Sequence, residues 1–387
     1  MEKTNKKINV LAPTVWFPNP HEQSKCIFTK NIIDQLIQSN SNIQYIVISP
    51  IPYFYSLKHI KNIFKIIRYK YITKEGYTIF YPRFFKLPYG LFARWRDKNY
   101  FKTYKKLIAK EKIHFDLIHV HGLIPDTPIA YKLADYFKKK LVIHIHDSKI
   151  PSDSVIKNAL FASDKIITVS KFQKKQLIKT FPDLNETKIS IIYNGILKRF
   201  FQVNPKHHHN NIIRFVSVGR LHPSKEIDWL VQNIEYIMEG IKYSLDIYGF
   251  GILEKKIKKI IALNKLSDKV YLKGEIKNED LPEILANYDY FVSPTTYETF
   301  GIANIEALAV GVPLIVSRLD TLEEIIYDKS KVMFFEPKDI NSLKNAINKA
   351  INKKWDKKSL KEFAKEYSIE NNANKIIKIY NYLHLNK

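Results

Sequence analysis

Short apolar runs alternate with amphipathic segments through the first half of the chain. The segment "IFTKNIIDQLIQS" repeats apolar residues at helical spacing, which places Ile32, Ile33 and Leu36 on one face. Continuous apolar strands separated by helices are typical of a parallel sheet that is buried on both faces. The predicted strands are 8–13, 116–122, 141–147, 165–170 and 189–195, and the predicted helices are 27–39, 126–138, 153–162 and 171–180.

The same pattern starts again after the polar segment 197–211. We therefore predict an α/β protein with two Rossmann-like domains, 1–196 and 212–368, joined by a linker at 197–211 and facing each other across a cleft. A last helix, 369–387, is expected to pack back on the first domain. Ligands of such sheets bind beyond the carboxyl ends of the strands. The second half has predicted strands at 212–220, 243–249, 269–274, 288–294 and 313–317, and helices near 225–239, 252–263, 279–287 and 302–310.

The chain has a net charge of +25. Part of this charge reflects a general compositional bias toward Lys, which is accompanied by a bias toward Ile, Asn and Tyr. Residues 51–110 concentrate this charge, with 15 Lys and Arg against 2 acids, and hold 17 aromatic residues. Three interpretations fit this region. We favour an anionic membrane surface or a lipid-linked acceptor over a solvated face above core aromatics, and we expect no nucleic acid.

The remaining bulk features predict a cytoplasmic protein. Cys26 is the single cysteine, so no disulfide forms within the chain and a reducing compartment is expected. The basic N-terminus is followed by only a strand-length apolar run, too short for a signal peptide, and no apolar run reaches the length of a membrane span. The loop histidines 207–209 are adjacent, and adjacent loop residues rarely converge on one metal ion.

Two glutamates in the stretch "PTTYETFGIANIEALAVGVPLIVS" are the first candidates for chemistry. Glu298 follows a predicted strand, and Glu306 lies one turn into a helix that is apolar on nearly every side. A bare carboxylate there costs several kcal/mol unless it is paired or hydrogen-bonded. Either a ligand's hydroxyl groups satisfy Glu306, or a buried Arg or Lys pairs with it for structural reasons.

Two glycine-containing segments also follow strands. In "FVSVGRLHPSKEIDWLV", Gly219 and Arg220 end a strand and Lys225 opens the next helix, which suits a diphosphate, although two surface cations are a simpler interpretation. In "IYGFG", Gly249 begins a Gly-x-Gly turn, but Glu254 stands where a dinucleotide fingerprint has its third glycine. We therefore predict neither NAD nor FAD.

Histidines end two strands of the first half. "VIHIHDS" places His144 and His146 on one face of a strand, with His146 at its end, and "IHVHG" contains His119 and His121. A histidine in a strand is more often structural than catalytic, so these residues remain secondary candidates on the pattern alone.

The segment "FVSPTTYETFGIANIEALAVGVPLIVS" resembles the donor-site signature of the family-4 retaining glycosyltransferases, a Glu-x7-Glu motif that ends in Gly-x-Pro. The resemblance covers about 8–370 and implies a GT-B fold. It assigns the transferred sugar to Glu298 and the ribose hydroxyls to Glu306. The resemblance implies that the donor phosphates are bound by Gly219, Arg220, Lys225 and the helix start at Phe300, Gly301 and Ile302. It also implies that Gly249 lies near the nucleotide and that His146 lies against the sugar.

The resemblance implies transfer of a sugar, with retention, from a UDP- or GDP-linked donor to a glycan or lipid-linked acceptor. We expect Glu298, His146, Arg220 and Lys225 to be catalytic. No cofactor and no metal are expected, since the sequence lacks Asp-x-Asp. Cell-surface polysaccharide synthesis (lipopolysaccharide, capsule or exopolysaccharide) at the inner face of the cytoplasmic membrane is the expected setting.

Two departures and two rival functions accompany this interpretation. Glu226 and Cys26 stand where relatives commonly have glycine, so the geometry of both loops is in question. The rival functions are a GT-B-fold nucleotide-sugar epimerase, and a non-catalytic module that binds membranes or nucleic acid through the basic region.

Overall fold

The computed structural model describes residues 7–20, 26–52, 69–84, 93–206 and 211–386. The chain divides into two compact units: 1–193 together with 370–387, and 194–369. The segment 197–206, expected to be an irregular linker, contains a short helix and belongs to the second unit. The histidines 207–209 lie outside the described residues.

An eight-stranded sheet forms the centre of the first unit, in the order β10-β9-β8-β7-β1-β2-β5-β4. All of its pairs are parallel except β4 with β5. A two-residue pair, β3 with β6, lies outside it. The strands are β1 (Ile8–Pro13), β2 (Ile43–Ile48), β3 (Ile51–Pro52), β4 (Lys70–Ile72), β5 (Thr78–Phe80), β6 (Arg83–Phe84), β7 (Leu117–His121), β8 (Lys140–Ile145), β9 (Lys165–Thr168) and β10 (Ile189–Ile191).

Helices cover both faces of this sheet, which is why the central strands β1, β7 and β8 are almost entirely buried, whereas the edge strand β4 is exposed. They are α1 (Ile27–Ser39), α2 (Ala93–Lys110), α3 (Asp126–Phe137), α4 (Ser154–Ala162) and α5 (Lys171–Thr180). The last helix of the chain, α14 (Ile369–Leu385), buries Ile376 and Tyr380 in the same cluster as Val10 and Tyr45. Each such side chain contributes about 1.5–3 kcal/mol when it leaves water.

The second unit has a six-stranded parallel sheet, β13-β12-β11-β14-β15-β16. Its first strand is central, with the next two on one side and the last three on the other, the order found in dinucleotide-binding sheets. The strands are β11 (Ile213–Val218), β12 (Tyr243–Tyr248), β13 (Val270–Gly274), β14 (Tyr290–Ser293), β15 (Leu314–Ser317) and β16 (Val332–Phe335). The helices are α6 (Lys198–Gln202), α7 (Ile227–Ile237), α8 (Glu254–Leu263), α9 (Leu281–Leu285), α10 (Ile302–Val310), α11 (Asp320–Ile325), α12 (Ile340–Asn352) and α13 (Lys357–Ala364).

The prediction of two parallel-sheet α/β domains is confirmed. In such a sheet the connections leave in opposite directions from β11 and β14, so a crevice opens between the loops that follow these two strands. This position is the place to look for a site in the second unit.

The basic and aromatic region 51–110 is described only in part, since 53–68 and 85–92 lie outside the described residues. Several of its aromatic side chains belong to the core: Tyr77, Phe80, Tyr100 and Tyr104 are nearly inaccessible to solvent. The Tyr104 hydroxyl donates to the Ile48 carbonyl at 3.1 Å. A part of the aromatic content is therefore explained by packing.

Candidate functional site

Two predicted site residues that are far apart in the chain meet in the second unit. Lys225 follows β11 and Glu298 follows β14, and the lysine ammonium forms an ion pair with the Glu298 carboxylate. The side chains are 24% and 14% exposed, so the pair is largely shielded but can be reached from solvent. The sheet order explains the meeting, because β11 and β14 are neighbours and their loops leave the same edge.

Hydrogen bonds connect the two loops as well. The Ser224 carbonyl accepts from the Thr296 amide and from the Thr295 hydroxyl, both at 2.9 Å. The Thr321 hydroxyl donates to the Glu298 carbonyl, also at 2.9 Å. The ion pair is thus carried by backbone that is itself anchored, which limits how far either charge moves.

Arg220, in contrast, is exposed and forms no ion pair with any side chain that the structure describes. It lies in the same loop as Lys225, five residues earlier. A guanidinium without an acidic partner is available to an anion, and its planar set of donors matches phosphate oxygens. The loop after β11 therefore offers one paired and one unpaired cation.

Gly219 and Gly249 meet through their backbones. A Cβ on Gly249 would lie 1.8 Å from the carbonyl oxygen of Gly219, and Gly249 has a φ of +139°. A side chain cannot fit at this position, so Gly249 lets the ends of β11 and β12 approach closely. A Cβ on Gly219 would meet no atom within 4 Å, which leaves open space above that residue.

The start of α10 provides a second potential anion site. Gly301 precedes the helix with a φ of +80°, and a Cβ there would lie 2.7 Å from the Asn304 side chain. No side chain among the described residues caps the helix, and Ile302 is partly exposed. The Asn304 amide donates to the Gly301 carbonyl at 3.0 Å, so the amides of Ile302 and Ala303 are the ones available to an anion. Phe300 instead packs into the core, with its ring 5.7 Å from that of Tyr367, so its side chain serves packing.

Glu306 is 7% exposed and forms neither a hydrogen bond nor an ion pair with its side chain in the described part of the chain. Burial raises the pKa of its carboxyl to about 8, and the positive charge of Arg199 opposes this shift only in part. The Arg199 guanidinium donates to the Asn278 side chain instead. A tight structural pair with a buried cation, the alternative left open by the sequence, does not form. A neutral carboxyl can both donate and accept hydrogen bonds, which suits a ligand with hydroxyl groups.

His146, the remaining predicted residue, lies in the first unit, directly after β8. Its Nε2 is 3.4 Å from Nδ1 of His121, and its ring is 4.8 Å from that of Phe28. Burial lowers the pKa of the His146 imidazole, so the ring is neutral. The neighbouring Asp147 carboxylate accepts from the Leu123 amide at 2.8 Å and holds this loop to the end of β7.

Cys26 and Glu226, the two positions at which the family resemblance leads us to expect glycine, both have a left-handed backbone. Cys26 has a φ of 45° before α1, and Glu226 has a φ of 50° before α7. The loops therefore keep the backbone that glycine favours, at about 1–2 kcal/mol each for a residue with a Cβ. Lys338 partly offsets this cost at Glu226, since its ammonium is 2.9 Å from the glutamate carboxylate.

Three residues that support the candidate site residues or the loops at the strand ends were not identified from the sequence. Arg199 was assigned to a linker, and nothing in its local pattern links it to Glu306. Ser224 acts through its carbonyl, which no side-chain motif reveals. Asp126 accepts from the Thr14 hydroxyl at 2.9 Å and fixes the loop after β1, and burial raises its pKa to about 7. A charged residue at the start of an apolar helix was the available signal for Asp126.

No helix of the described chain combines the length and apolar character that crossing a membrane requires.

Comparison with known proteins matches two family models to this chain. The model "Glycosyltransferase Family 4" matches residues 65–197, and the model "Glycosyl transferases group 1" matches residues 198–367. The motifs in the second unit lie within the second match.

Curated relatives agree with these models. An uncharacterized glycosyltransferase of Methanocaldococcus jannaschii is 29% identical over 256 residues, which cover 64% of this chain and 68% of that protein. The O-antigen chain mannosyltransferase RfbU of Salmonella typhimurium is 29% identical over 184 residues, 47% of this chain and 49% of the relative. This chain thus aligns with only about half the length of that mannosyltransferase.

Solved structures share the fold over nearly the whole chain. Sucrose-phosphate synthase from Thermosynechococcus elongatus superposes with a TM-score of 0.80 at 16% identity, covering 98% of this chain and all of that one. Anabaena HepE, solved in complex with UDP and glucose, has a TM-score of 0.68 at 14% identity, covering 97% and 99% of the two chains. The chain belongs to the family-4, group 1 glycosyltransferases and has their GT-B fold.

Proposed function

We propose that this glycosyltransferase moves a sugar from a nucleoside diphosphate sugar to an acceptor hydroxyl, with retained anomeric configuration. The observation that carries the proposal is the Lys225–Glu298 ion pair at the crevice of the second sheet. It joins an acid and a cation from the loops that follow β11 and β14, where ligands of such sheets bind.

Each group has a role that its environment supports. Arg220, Lys225 and the first amides of α10 hold the diphosphate and stabilise the charge that develops as it leaves. Glu306 exchanges hydrogen bonds with the ribose hydroxyls. Glu298 orients the transferred sugar, and His146 is proposed to contact that sugar.

The reaction balances without a protein base. The bond between the anomeric carbon and the diphosphate oxygen breaks, and the acceptor oxygen bonds to the same face of that carbon. The acceptor's proton passes to the departing phosphate oxygen. No divalent metal is proposed in this step, since cations and helix amides supply the positive field.

Isothermal titration calorimetry with a panel of UDP- and GDP-sugars tests donor binding. We expect one donor class to bind, and Arg220→Met to weaken its affinity by roughly 10-fold or more, the loss of a charge-assisted phosphate contact. Arg318→Met is the matched control, because Arg318 lies in the same unit but pairs with Glu323 and Glu336. Binding of no donor, or an equal loss in both variants, would contradict the assignment.

Stereochemistry and metal dependence are tested separately. Proton NMR of the fresh product should show the anomeric coupling of the donor sugar, and inversion would refute the retaining mechanism. Transfer should persist in EDTA at a temperature well below the melting temperature, whereas a loss there that added Mg²⁺ or Mn²⁺ restores would show that the step needs a divalent ion.

We further propose a role in cell-surface polysaccharide synthesis, on a glycan or lipid-linked acceptor at the cytoplasmic face of the membrane. The named function of the Salmonella relative and the charge of 51–110 support this setting. Co-sedimentation with anionic liposomes at low salt should retain the protein, and neutral liposomes are the control. Equal recovery with both kinds would remove the membrane proposal.

A further inference from the structure

Four histidines gather at the carboxyl ends of β7 and β8 in the first unit. The sheet register causes this, because His121 lies directly beside His144. His119 lies two residues before His121 in β7, and His146 follows the end of β8. Neighbouring ring centroids in the cluster are 4.1–5.6 Å apart.

Three of these side chains are fully buried and incompletely hydrogen-bonded. His119 and His144 are 0% exposed, and His121 is 1% exposed. Nε2 of His119, Nε2 of His121 and both ring nitrogens of His144 have no hydrogen-bond partner among the residues that the structure describes. Buried polar atoms without partners are unfavourable, and four in one cluster indicate a ligand that all three rings share.

The geometry points to a metal ion. One ring nitrogen from each of His119, His121 and His144 can be chosen so that all three lie within 4.8 Å of one another. Ligand nitrogens around tetrahedral zinc are about 3.4 Å apart. The nitrogens must therefore approach one another, and the His119 and His144 rings, which are parallel with centroids 5.6 Å apart, must turn toward a common point when the ion binds. We propose that these three histidines bind one divalent transition-metal ion of the zinc class, with water in the fourth position.

The surroundings orient the rings for this role. Nδ1 of His119 is hydrogen-bonded to the Tyr380 hydroxyl, and the Tyr45 hydroxyl lies 3.3 Å away from it. Nδ1 of His121 is 3.4 Å from Nε2 of His146. Both contacts occupy Nδ1 and leave Nε2 for a metal, the arrangement by which a second group fixes a ligating imidazole.

The three imidazole donors indicate which metal ions the site would bind, and their positions indicate which elements the ion would hold together. Imidazole donors without a carboxylate suit Zn²⁺, Ni²⁺ or Cu²⁺ and not Mg²⁺ or Ca²⁺. The ion would link β7 to β8 and, through Tyr380, support the packing of α14. The site is proposed as structural: its three ligands do not include His146, the residue proposed to contact the sugar, although His146 adjoins His121.

The test starts from a background in which His207, His208 and His209 are all replaced by Ala, so that zinc binding by these three histidines cannot contribute to the signal. After treatment with a chelator, this protein is titrated with ZnCl2 by calorimetry. Its melting temperature is then compared with ZnCl2 and with MgCl2. We expect about one Zn²⁺ per chain and a higher melting temperature with zinc alone.

His144→Phe is the decisive variant. It keeps an aromatic ring in the stack and removes a ligand that makes no described hydrogen bond, so it should fold. We expect at least ~100-fold weaker zinc binding and no zinc-dependent rise in melting temperature. His114→Phe, at an exposed position, is the matched control. It should change neither the zinc affinity nor the zinc-dependent rise in melting temperature.

Cobalt gives an independent readout. Co²⁺ bound at this site should show the visible absorption of a tetrahedral complex, lost in His144→Phe and in His121→Gln. Zinc binding that survives His144→Phe, or a folded background protein without any bound zinc, would overturn the proposal and leave the cluster as neutral core histidines.

Discussion

Replacing Glu306 by Gln removes an ionisable group whose environment opposes its charge. Burial raises the pKa of this carboxyl from 4.5 to about 8. Between these values the unfolded chain has lost the proton and the folded protein keeps it. The unfolded state therefore binds fewer protons, and the free energy of unfolding falls as the pH rises through this window.

The size of the effect follows from the shift. One pKa unit corresponds to about 1.4 kcal/mol, so the wild type loses roughly 5 kcal/mol of stability from this residue between about pH 4.5 and about pH 8. Glu306→Gln lacks the titration. We expect its stability relative to the wild type to rise by up to that amount across the same range.

Guanidinium unfolding at several pH values measures this difference. Tryptophan fluorescence is a suitable signal, since Trp229 and Trp355 lie in the same unit as Glu306. Glu283→Gln, at an exposed position on α9, is the control and should follow the wild type. Parallel curves for Glu306→Gln and the wild type would refute the reasoning, because they would mean that Glu306 ionises in the folded protein as it does in the unfolded chain.

Three further predictions address other contacts. Lys225→Met should lower kcat/KM for sugar transfer by about 10²-fold or more, measured by release of the nucleoside diphosphate; unchanged kinetics would exclude it from the site. Gly249→Ala should destabilise the protein severely or prevent folding, because its Cβ would overlap the Gly219 carbonyl. Gly240 is the control: it also has a positive φ but no atom near its Cβ, so Gly240→Ala should lower the free energy of unfolding in urea by only about 1–2 kcal/mol. Tyr380→Phe should lower stability by about 1–3 kcal/mol, and an unchanged melting temperature would show that the hydroxyl's bonds contribute nothing.

The two sheets were predictable because a parallel strand carries its own signal. It is apolar throughout, since helices cover both of its faces, and it is followed by a helix of recognisable periodicity. The predicted bounds 27–39 and 302–310 coincide with α1 and α10. The segment 197–206 was harder, because a helix of one turn has no periodicity to detect.

The candidate site was predictable in part for the same reason. Glu298 was identified as a residue that follows a strand, and Lys225 as the residue that opens the next helix; α7 instead begins at Ile227, which leaves Lys225 in the loop after β11. The strands of a parallel sheet place such loops at one edge. That Glu298 and Lys225 form an ion pair depends on β11 and β14 being neighbours, although the two residues are 73 positions apart in the chain.

The sequence alone determined the two α/β repeats, the family and the residue types at the crevice. These properties are local, since they follow from periodicity and from motifs within about 25 residues. Only the tertiary structure decided that Glu306 has no ion-pair partner in the described chain, that Gly249 packs on Gly219, and that histidines from two strands form one buried cluster. Strand order and register set these contacts, and they arise from the packing of the whole unit, which no short segment encodes.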